Sequence, residues 1–246
     1  MRFDVITIFP GLIRGYLDEG VLGRAEGRGI VAIETWNPRD FSGFPHQRVD
    51  DRPFGGGPGM VMMAPPLLAC IAAARVANPG APVVYLSPQG KPLSQKDLQV
   101  MAGWLGLILL AGRYEGIDER VMGAVDEEWS IGDYVLAGGE LPALVLMEGL
   151  SRLLPGFLGH PDSAEEDSFS SSGLLDCPHY TRPEWCNGEG VPDILLSGDH
   201  RRIARWRHQQ ALLRTRIRRP DLWAERSLTR EEEILLKEAD MAEGKY

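Results

Sequence analysis

The chain has 246 residues, of which 43% are hydrophobic and 25% charged, the balance of a globular protein with a substantial core in one or two domains. Its longest apolar run, Ala102 to Ala111, is well short of the ~20 residues that a membrane-spanning helix needs. No charged leader or apolar signal region precedes the first strand pattern, so we expect a cytoplasmic protein with no membrane partner. The net charge of −9, taken alone, argues against nucleic acid as a partner.

Short apolar runs alternate with amphipathic stretches through the first half of the chain, which is typical of successive strand and helix units. The pattern predicts strands over Phe3–Phe9, Ile30–Trp36, Val83–Leu86 and Leu107–Ala111, and helices over Pro10–Asp18, Pro65–Val76, Ser94–Gly103 and Gly139–Leu154. The connections are long enough for crossover helices, and the strands are nearly continuous apolar runs. We therefore expect an α/β protein with a largely parallel sheet.

From Pro155 to Pro192 the composition shifts to Gly, Pro, Ser and acidic residues with little periodicity. A segment of nearly forty residues is too long for an idle connector, so we expect a linker with a functional role. Beyond it, a small helical domain is predicted. Its first helix is stopped by Pro220, and Thr229 with Glu232 forms a capping box for a last helix that ends near Ala242.

Arginine is concentrated in the first of these C-terminal helices. Eight arginines and one acid lie between Asp199 and Arg219, which gives a local charge of +7 in a chain of net charge −9. Such a block is typical of contact with a polyanion, although a solvated helix face is the alternative. Helical spacing predicts a buried face, and Arg207, Arg214 and Arg218 form a separate stripe. The predicted buried face comprises Ile203, Trp206, Gln210, Leu213 and Ile217.

The three cysteines, Cys70, Cys177 and Cys186, form no CxxC pair, and their odd number argues against a disulfide framework. This cysteine usage fits a reducing compartment. A zinc site made from Cys177, Cys186, His179 and His200 is conceivable, but the spacing matches no common ligand pair.

Several large enzyme classes lose support because their motifs are missing. The sequence has no Walker loop, no HExxH and no nucleophile elbow. A GxGxxA match at Gly27 to Ala32 precedes a strand, whereas a Rossmann turn follows one, so we interpret it as chance.

Three apolar runs each end in a turn that contains glycine. Val83–Leu86 leads into Ser87–Gly90, Leu107–Ala111 into Gly112–Gly116, and Tyr134–Ala137 into Gly138–Gly139. Ligands of open α/β sheets bind at such carboxyl ends of strands, and glycine lets the backbone approach a ligand closely. The pattern favours a nucleoside ligand over a triphosphate, while routine turns between strands and helices are the alternative interpretation.

A second loop, from His46 to Met60, places four glycines and two prolines between charged residues. Such a segment is a mobile lid or a phosphate nest, and without a lysine followed by Ser or Thr the lid is favoured. A third cluster comprises Arg152 and the acidic run Glu165 to Phe169. Acidic runs are usually solvated, so this cluster alone would carry no function.

Six motifs occur in a fixed order along nearly the whole chain: GGGPGM, YLSPQG, GRYEGIDER, SIGDYVLAGGELPAL, EEDSF and GLLDCPHYTRP. In this order they resemble the bacterial tRNA (guanine-N1)-methyltransferases, the TrmD family of the SPOUT class. The resemblance implies an α/β fold with a SPOUT-type parallel sheet, a C-terminal trefoil knot and a small all-helical C-terminal domain. It divides the chain into a knotted cofactor-binding domain (1–160), a linker that carries the catalytic Asp (161–191) and a helical tRNA-binding domain (192–246).

The resemblance places S-adenosylmethionine in the knot, among the same glycine turns that the residue pattern selects. The cofactor-binding residues that it implies are Tyr85, Leu86, Ser87, Pro88, Gly112, Arg113, Tyr114, Glu115, Gly116, Ile131, Gly132, Asp133, Tyr134, Val135, Leu136, Gly138, Gly139 and Pro142. Members of the family are homodimers with active sites between the subunits. A homodimer is therefore expected here, with the lid and the basic domain serving the partner's pocket.

The implied reaction transfers a methyl group to N1 of guanosine at tRNA position 37 when another guanine precedes it at position 36. N1 carries a proton that must leave, and Asp167 matches the family's catalytic aspartate. Arg152, also at a matching position, can donate to O6 and stabilise the charge that forms. The implied substrate-binding residues are Asp50, Gly59, Ser168, Arg207, Arg214 and Arg218. Dependence on Mg²⁺ is also implied, without an identifiable ligand set.

Two rival functions remain. One is a knotted methyltransferase acting on another RNA base, and the other is a non-catalytic RNA-binding protein, which the presence of Asp167 and Arg152 disfavours. Ser170 to Ser172 is one residue longer than the family pattern. This leaves the register of the neighbouring loop open, but not that of Asp167.

Overall fold

The computed structural model describes residues 1–159, 167–170 and 172–242. The chain forms two compact units, Met1–Pro161 and Asp162–Tyr246. Glu165, Glu166 and Ser171, which belong to the predicted acidic cluster and serine segment, lie outside the described residues.

The first unit alternates strands and helices, as the sequence predicts. In chain order its elements are β1 (Arg2–Ile6), α1 (Pro10–Leu17), α2 (Gly20–Gly27), β2 (Ala32–Trp36), β3 (Asp50–Asp51), β4 (Val61–Met62), α3 (Ala64–Ala77), β5 (Val83–Pro92), α4 (Gln95–Met101), β6 (Gly106–Ala111), β7 (Glu127–Ser130) and α5 (Glu140–Ser151).

Five of these strands form one sheet in the order β2-β1-β6-β5-β7, and every neighbouring pair is parallel. This confirms the predicted parallel sheet. Alternation along β6 places Leu107 and Leu109 in one apolar cluster, and Ile108 and Leu110 in another. The first cluster includes residues of α1, α2, α4 and α5, and the second includes residues of α3, so helices cover both faces of the sheet.

Most of the predicted elements of this unit are confirmed within a few residues, but the third apolar run is not a strand. Tyr134–Ala137 forms an irregular loop, and Val135 is 85% exposed. The strand of this region is β7, which the sequence analysis missed. Strand β7 lies at the edge of the sheet, next to β5, where charged residues are tolerated. It begins with two glutamates and carries no apolar run, so its sequence does not show the pattern of a buried strand. Helix α2 was also missed, because it is short and rich in glycine.

The second unit is mainly helical. Its elements are the hairpin strands β8 (Trp185–Cys186) and β9 (Glu189–Gly190), followed by α6 (Asp193–Leu196), α7 (His200–Arg218), α8 (Pro220–Ala224) and α9 (Arg230–Ala242). Its small core comprises Leu174, Leu212, Leu213, Leu235, Leu236 and Ala239. The predicted capping box is confirmed, since the Thr229 Oγ1 accepts from the Glu232 N–H and the Glu232 carboxylate accepts from the Thr229 N–H.

The predicted buried face of α7 is partly wrong. Leu213 is buried, but Ile217 is 71% exposed, while Leu212 and Thr215 are buried instead. The α9 helix packs on one side of α7, so the buried residues follow that contact and not the apolar periodicity alone. None of the helices among the described residues is long and apolar enough to cross a lipid bilayer.

Candidate active site

A pocket of about 320 Å³ opens at the carboxyl edge of the parallel sheet. It is lined by the turn inside β5, the turn after β6 and the loop between β7 and α5. The structure brings together there all the predicted cofactor-binding residues except Asp133, which is exposed in the same loop. Four lining residues lie outside the predicted cofactor-binding set: Gln89 and Ala137, which belong to the segments that the sequence pattern selects, and Trp129 and Ser130, which it missed. Trp129 and Ser130 end strand β7, and since no apolar run marks that strand in the sequence, nothing placed these two residues at the pocket.

Glycines allow two walls of the pocket to lie in direct contact. A Cβ atom at Gly139 would lie 2.7 Å from the Cα of Ala111, and the Gly139 N–H donates to the Gly112 carbonyl at 2.9 Å. A Cβ atom at Gly112 would lie 3.0 Å from the Tyr85 ring. The β7–α5 loop therefore reaches the β6 turn only because side chains are absent there.

Tyr85 is an uncharged polar group of the pocket. Burial raises the pKa of its phenol above the ordinary value, the carboxylates of Glu128 and Glu119 act in the same direction, and a hydrogen bond with the Ile117 backbone opposes them. Its hydroxyl is therefore protonated at neutral pH and can donate to a ligand. Tyr114 and Tyr134 are partly exposed along the same pocket.

The predicted lid is a hairpin joined to the pocket turn. Strands β3 and β4 pair antiparallel, with Asp50 opposite Met62. The Glu115 N–H donates to the Met60 carbonyl at 3.0 Å, and the Met62 N–H donates to the Gly116 carbonyl at 2.9 Å. Gly59 lies against the Glu115 side chain. The returning end of the hairpin is thus fixed to the pocket, whereas Phe54 at its tip is fully exposed.

The two predicted catalytic residues belong to different units. Arg152 directly follows the last residue of α5 in the first unit. Asp167 and Ser168 begin a turn in the second unit, in which the Ser168 Oγ accepts from the Asp176 N–H at 2.9 Å. The backbone of this turn is held by a second bond, from the Phe169 N–H to the Leu174 carbonyl at 2.8 Å.

Of the eight arginines from Arg201 to Arg219, seven lie in α7 and Arg219 directly follows it; Arg201 and Arg202 belong neither to the predicted stripe nor to the ion pairs of this region. Arg205, Arg216 and Arg219 form ion pairs with Glu238, Asp240 and Asp221. The predicted stripe of Arg207, Arg214 and Arg218 makes no ion pair with any residue that the structure describes. Acidic residues therefore neutralise part of the basic block and leave the stripe available for an external anion.

One group of side chains among the described residues has metal-ligating atoms close together. The ligand atoms of Asp176, Cys177 and His179 lie within 4.8 Å of one another. The conceivable zinc set is only partly assembled, since Cys186 and His200 are not in this group. His179 Nε2 is 2.7 Å from Asp176 Oδ2, so a hydrogen bond already accounts for this pair.

The parallel sheet, with a pocket among the glycine turns at its carboxyl edge, and the separate arginine-rich helical unit define an α/β protein with a pocket where open α/β sheets usually hold their ligands. The family model described as tRNA (Guanine-1)-methyltransferase TrmD matches residues 1–225. The chain belongs to this family.

Curated relatives match nearly full length. The tRNA (guanine-N(1)-)-methyltransferase of Marinomonas sp. is 55% identical over 239 residues, which are 97% of this chain and 95% of the relative. The protein of the same name from Shewanella loihica is 57% identical over 240 residues, 97% of this chain and 96% of the relative. That of Pseudoalteromonas atlantica is 55% identical over 238 residues, 96% of this chain and 89% of the relative.

Proposed function

We propose that this protein is a methyltransferase that uses S-adenosylmethionine to methylate N1 of guanosine at tRNA position 37 and acts in the cytoplasm, where its substrate is found. The observation that carries the proposal is the family match, which spans the pocket of the first unit and the arginine helix of the second. The full-length relatives named tRNA (guanine-N(1)-)-methyltransferase support the same activity.

The pocket suits S-adenosylmethionine. Its volume of about 320 Å³ lies in the usual range for small-ligand sites, and its glycine turns offer backbone amides and carbonyls to a purine and an amino acid group. The residues that would hold the cofactor are those predicted from the sequence, with Trp129, Ser130, Gln89 and Ala137 added by position. When bound, the cofactor supplies a methyl group on a positively charged sulfur.

The chain's own residues then handle one proton and one developing charge. Asp167 removes the proton from N1 of the guanine, which frees the lone pair that attacks the methyl carbon. As N1 loses its proton, negative charge spreads onto O6, where the Arg152 guanidinium donates hydrogen bonds and stabilises it. These roles require Asp167 and Arg152 to contact the same guanine.

Recognition of tRNA is assigned to the second unit and the hairpin. Arg207, Arg214 and Arg218 would contact phosphates of the tRNA. The binding energy of these contacts would offset the few kcal/mol needed to flip the target guanine out of the stacked anticodon loop. Asp50 and Gly59 on the hairpin and Ser168 beside the proposed base would contact the nucleotide. We propose that the same residues of the second unit and the hairpin also recognise the guanine at position 36.

The finer architecture that we propose follows the family. The three glycine turns, Ser87–Gly90, Gly112–Gly116 and Gly138–Gly139, would belong to a trefoil knot, with domain limits at 1–160, 161–191 and 192–246. A homodimer would place the second unit of one subunit at the pocket of the other. Such an arrangement explains why the proposed base and the cofactor pocket lie on separate units of one chain.

The one group of three or more metal-ligating side chains found among the described residues does not suit magnesium. Mg²⁺ prefers oxygen ligands in octahedral geometry, whereas the group formed by Asp176, Cys177 and His179 offers sulfur and nitrogen beside one carboxylate. No step of the proposed reaction is assigned to the ion.

The decisive experiment is nucleoside analysis of tRNA after incubation with the protein and S-adenosylmethionine. A transcript with guanine at positions 36 and 37 should yield 1-methylguanosine, and a matched transcript with adenine at 36 should yield far less. Another methylated nucleoside would favour the rival RNA methyltransferase. Tight binding without any product would favour the non-catalytic RNA-binding protein.

A further inference from the structure

A charged side chain lies buried directly behind the pocket. Glu140, the first residue of α5, is only 1% exposed and does not line the pocket. Its Oε1 accepts from the Thr7 hydroxyl at 2.7 Å, and its Oε2 accepts from Arg113 Nε at 2.8 Å. A buried carboxylate is costly unless its oxygens are satisfied, and here both are.

Arg113 connects this carboxylate to the pocket wall. Its Nη1 donates to the Ala137 carbonyl at 3.2 Å, and its guanidinium lies 4.6 Å from the centre of the Phe9 ring. The backbone at Gly138 lies against it so closely that a Cβ atom there would be 2.2 Å from Arg113 Nε. Arg113, Ala137 and Gly138 all line the pocket.

The hydrogen bonds from Thr7 to Glu140, from Arg113 to Glu140 and from Arg113 to Ala137 connect the sheet to the pocket loop. Thr7 follows β1 and Arg113 follows β6, which are neighbouring strands of the sheet, and Glu140 begins the helix after the pocket loop. If Glu140 served only to hold α5 against β1, the hydrogen bond from Thr7 would be sufficient. The contact instead continues through Arg113 to the carbonyl of Ala137, in the loop that forms one wall of the pocket.

We infer that Glu140 is a positioning residue for the cofactor, which it never touches. It fixes the Arg113 guanidinium, and Arg113 in turn holds the backbone of residues 131–138 in the shape that receives S-adenosylmethionine. This inference rests on the proposed function, because it assigns the occupant of the pocket. The loop forms neither helix nor strand: short-range hydrogen bonds shape its start at residues 130–134, and its end is held by Arg113 through the backbone bridge to Gly138 and the side-chain bond to Ala137.

The test compares three substitutions. Glu140→Gln retains the shape and an acceptor for Thr7, but its amide group leaves Arg113 Nε without a charged acceptor. Dissociation constants for S-adenosylmethionine should rise roughly 10- to 100-fold, the usual range for a lost hydrogen bond to a charged group. Arg113→Lys, which loses the reach to Ala137, should show a similar rise, and the double variant should be little worse than Arg113→Lys alone.

Thr7→Val is the matched control. It removes the bond to Glu140 Oε1 and the bond that Thr7 Oγ1 accepts from the Phe9 N–H, but leaves Arg113 paired with Glu140, so thermal stability should fall while the cofactor dissociation constant changes by less than about threefold. The turnover of Glu140→Gln at saturating cofactor and its KM for tRNA should stay near the wild-type values. Equal effects of Glu140→Gln and Thr7→Val on stability, with no change in cofactor affinity, would overturn the positioning role.

A second measurement needs no cofactor. Hydrogen exchange of the free protein should be faster across residues 131–138 in Glu140→Gln than in the wild type or Thr7→Val, with little change elsewhere in the sheet. Unchanged exchange in this loop would overturn the inference even if the protein proves to be the proposed methyltransferase. Failure of the wild type to bind S-adenosylmethionine, with faster loop exchange in the variant, would overturn the proposed cofactor and leave the control of the loop by Glu140 established.

Discussion

Gly59 on the glycine-rich hairpin lies so close to Glu115 in the pocket turn that a Cβ atom at Gly59 would fall 2.3 Å from Glu115 Oε1. Glu115 lines the pocket, so this contact joins the proposed lid to the proposed cofactor site. The backbone hydrogen bond between Glu115 and Met60 reinforces the junction. Closure over a base and occupancy of the pocket are therefore expected to affect each other.

Gly59→Ala should weaken cofactor binding about fivefold or more, because crowding of this kind costs about 1 kcal/mol or more and displaces Glu115. Gly55→Ala is the matched control: Gly55 has a similar left-handed backbone, with φ of +86° against +80°, but nothing lies within 4 Å of its Cβ position. Calorimetric titration of both variants measures the difference. Equal affinities would show that the contact with Glu115 has no influence on the pocket.

Asp167→Asn should lower the single-turnover rate of methyl transfer by ~10²-fold or more, since the amide cannot accept the N1 proton. Affinity for S-adenosylmethionine should stay nearly unchanged, because the role assigned to Asp167 is at N1 of the guanine and Asp167 is not among the residues that line the pocket of its own chain. Rapid-quench kinetics and equilibrium binding separate the two quantities. A parallel loss of binding and rate would assign Asp167 to the scaffold and place the base elsewhere.

Arg152→Lys tests the proposed contact with O6. Lysine keeps the charge but lacks the planar fork, so the rate should fall roughly tenfold or more, as for a lost charge-assisted hydrogen bond. The measurement is single-turnover transfer at saturating tRNA and cofactor. If the lysine variant retains nearly the full rate, only local positive charge is required at this position.

Replacing Arg207, Arg214 and Arg218 together by Gln should flatten the dependence of log tRNA affinity on log salt by roughly two units, because each phosphate contact releases condensed counterions. The matched control replaces Arg205, Arg216 and Arg219, which are already paired with acids, and should change the slope much less. Binding titrations at several salt concentrations, with thermal melts for both variants, supply the comparison. Equal slopes in the two triple variants would remove the stripe from the RNA interface.

The cysteines should differ sharply in reactivity. Burial raises the pKa of the Cys70 thiol to about 12, with Asp40 adding to the shift, whereas Cys186 is exposed. Because thiolate is the reactive form, a pKa that high leaves Cys70 protonated throughout the range from pH 7 to 9. Across this pH range iodoacetamide should label the exposed Cys186 and leave Cys70 unlabelled, as read by peptide mass spectrometry. Unfolded protein serves as the control, and labelling of native Cys70 at a similar rate would contradict its burial.

Local sequence was sufficient for the elements whose signals are local. The capping box of Thr229 and Glu232, the proline start of α1 and the continuous apolar run of β6 depend on neighbouring residues, and all three are found where the pattern places them. The ordered motifs also led to the family and to the turns that line the pocket. The roles of Asp167, Arg152 and the arginine stripe stay predictions.

Tertiary structure decided the features that depend on distant partners. Strand β7 carries two glutamates and was missed, because pairing with β5 at an edge, rather than apolar periodicity, makes it a strand. The bond between Thr7 and Glu140 joins residues 133 positions apart, and sequence gives no sign that a glutamate in this motif is buried. Likewise, only packing against α9 determines that Leu212 is buried and Ile217 exposed. The preferences of neighbouring residues thus determined where most helices and strands form. Burial and strand pairing between distant parts of the chain determined which charged and apolar side chains shape the site.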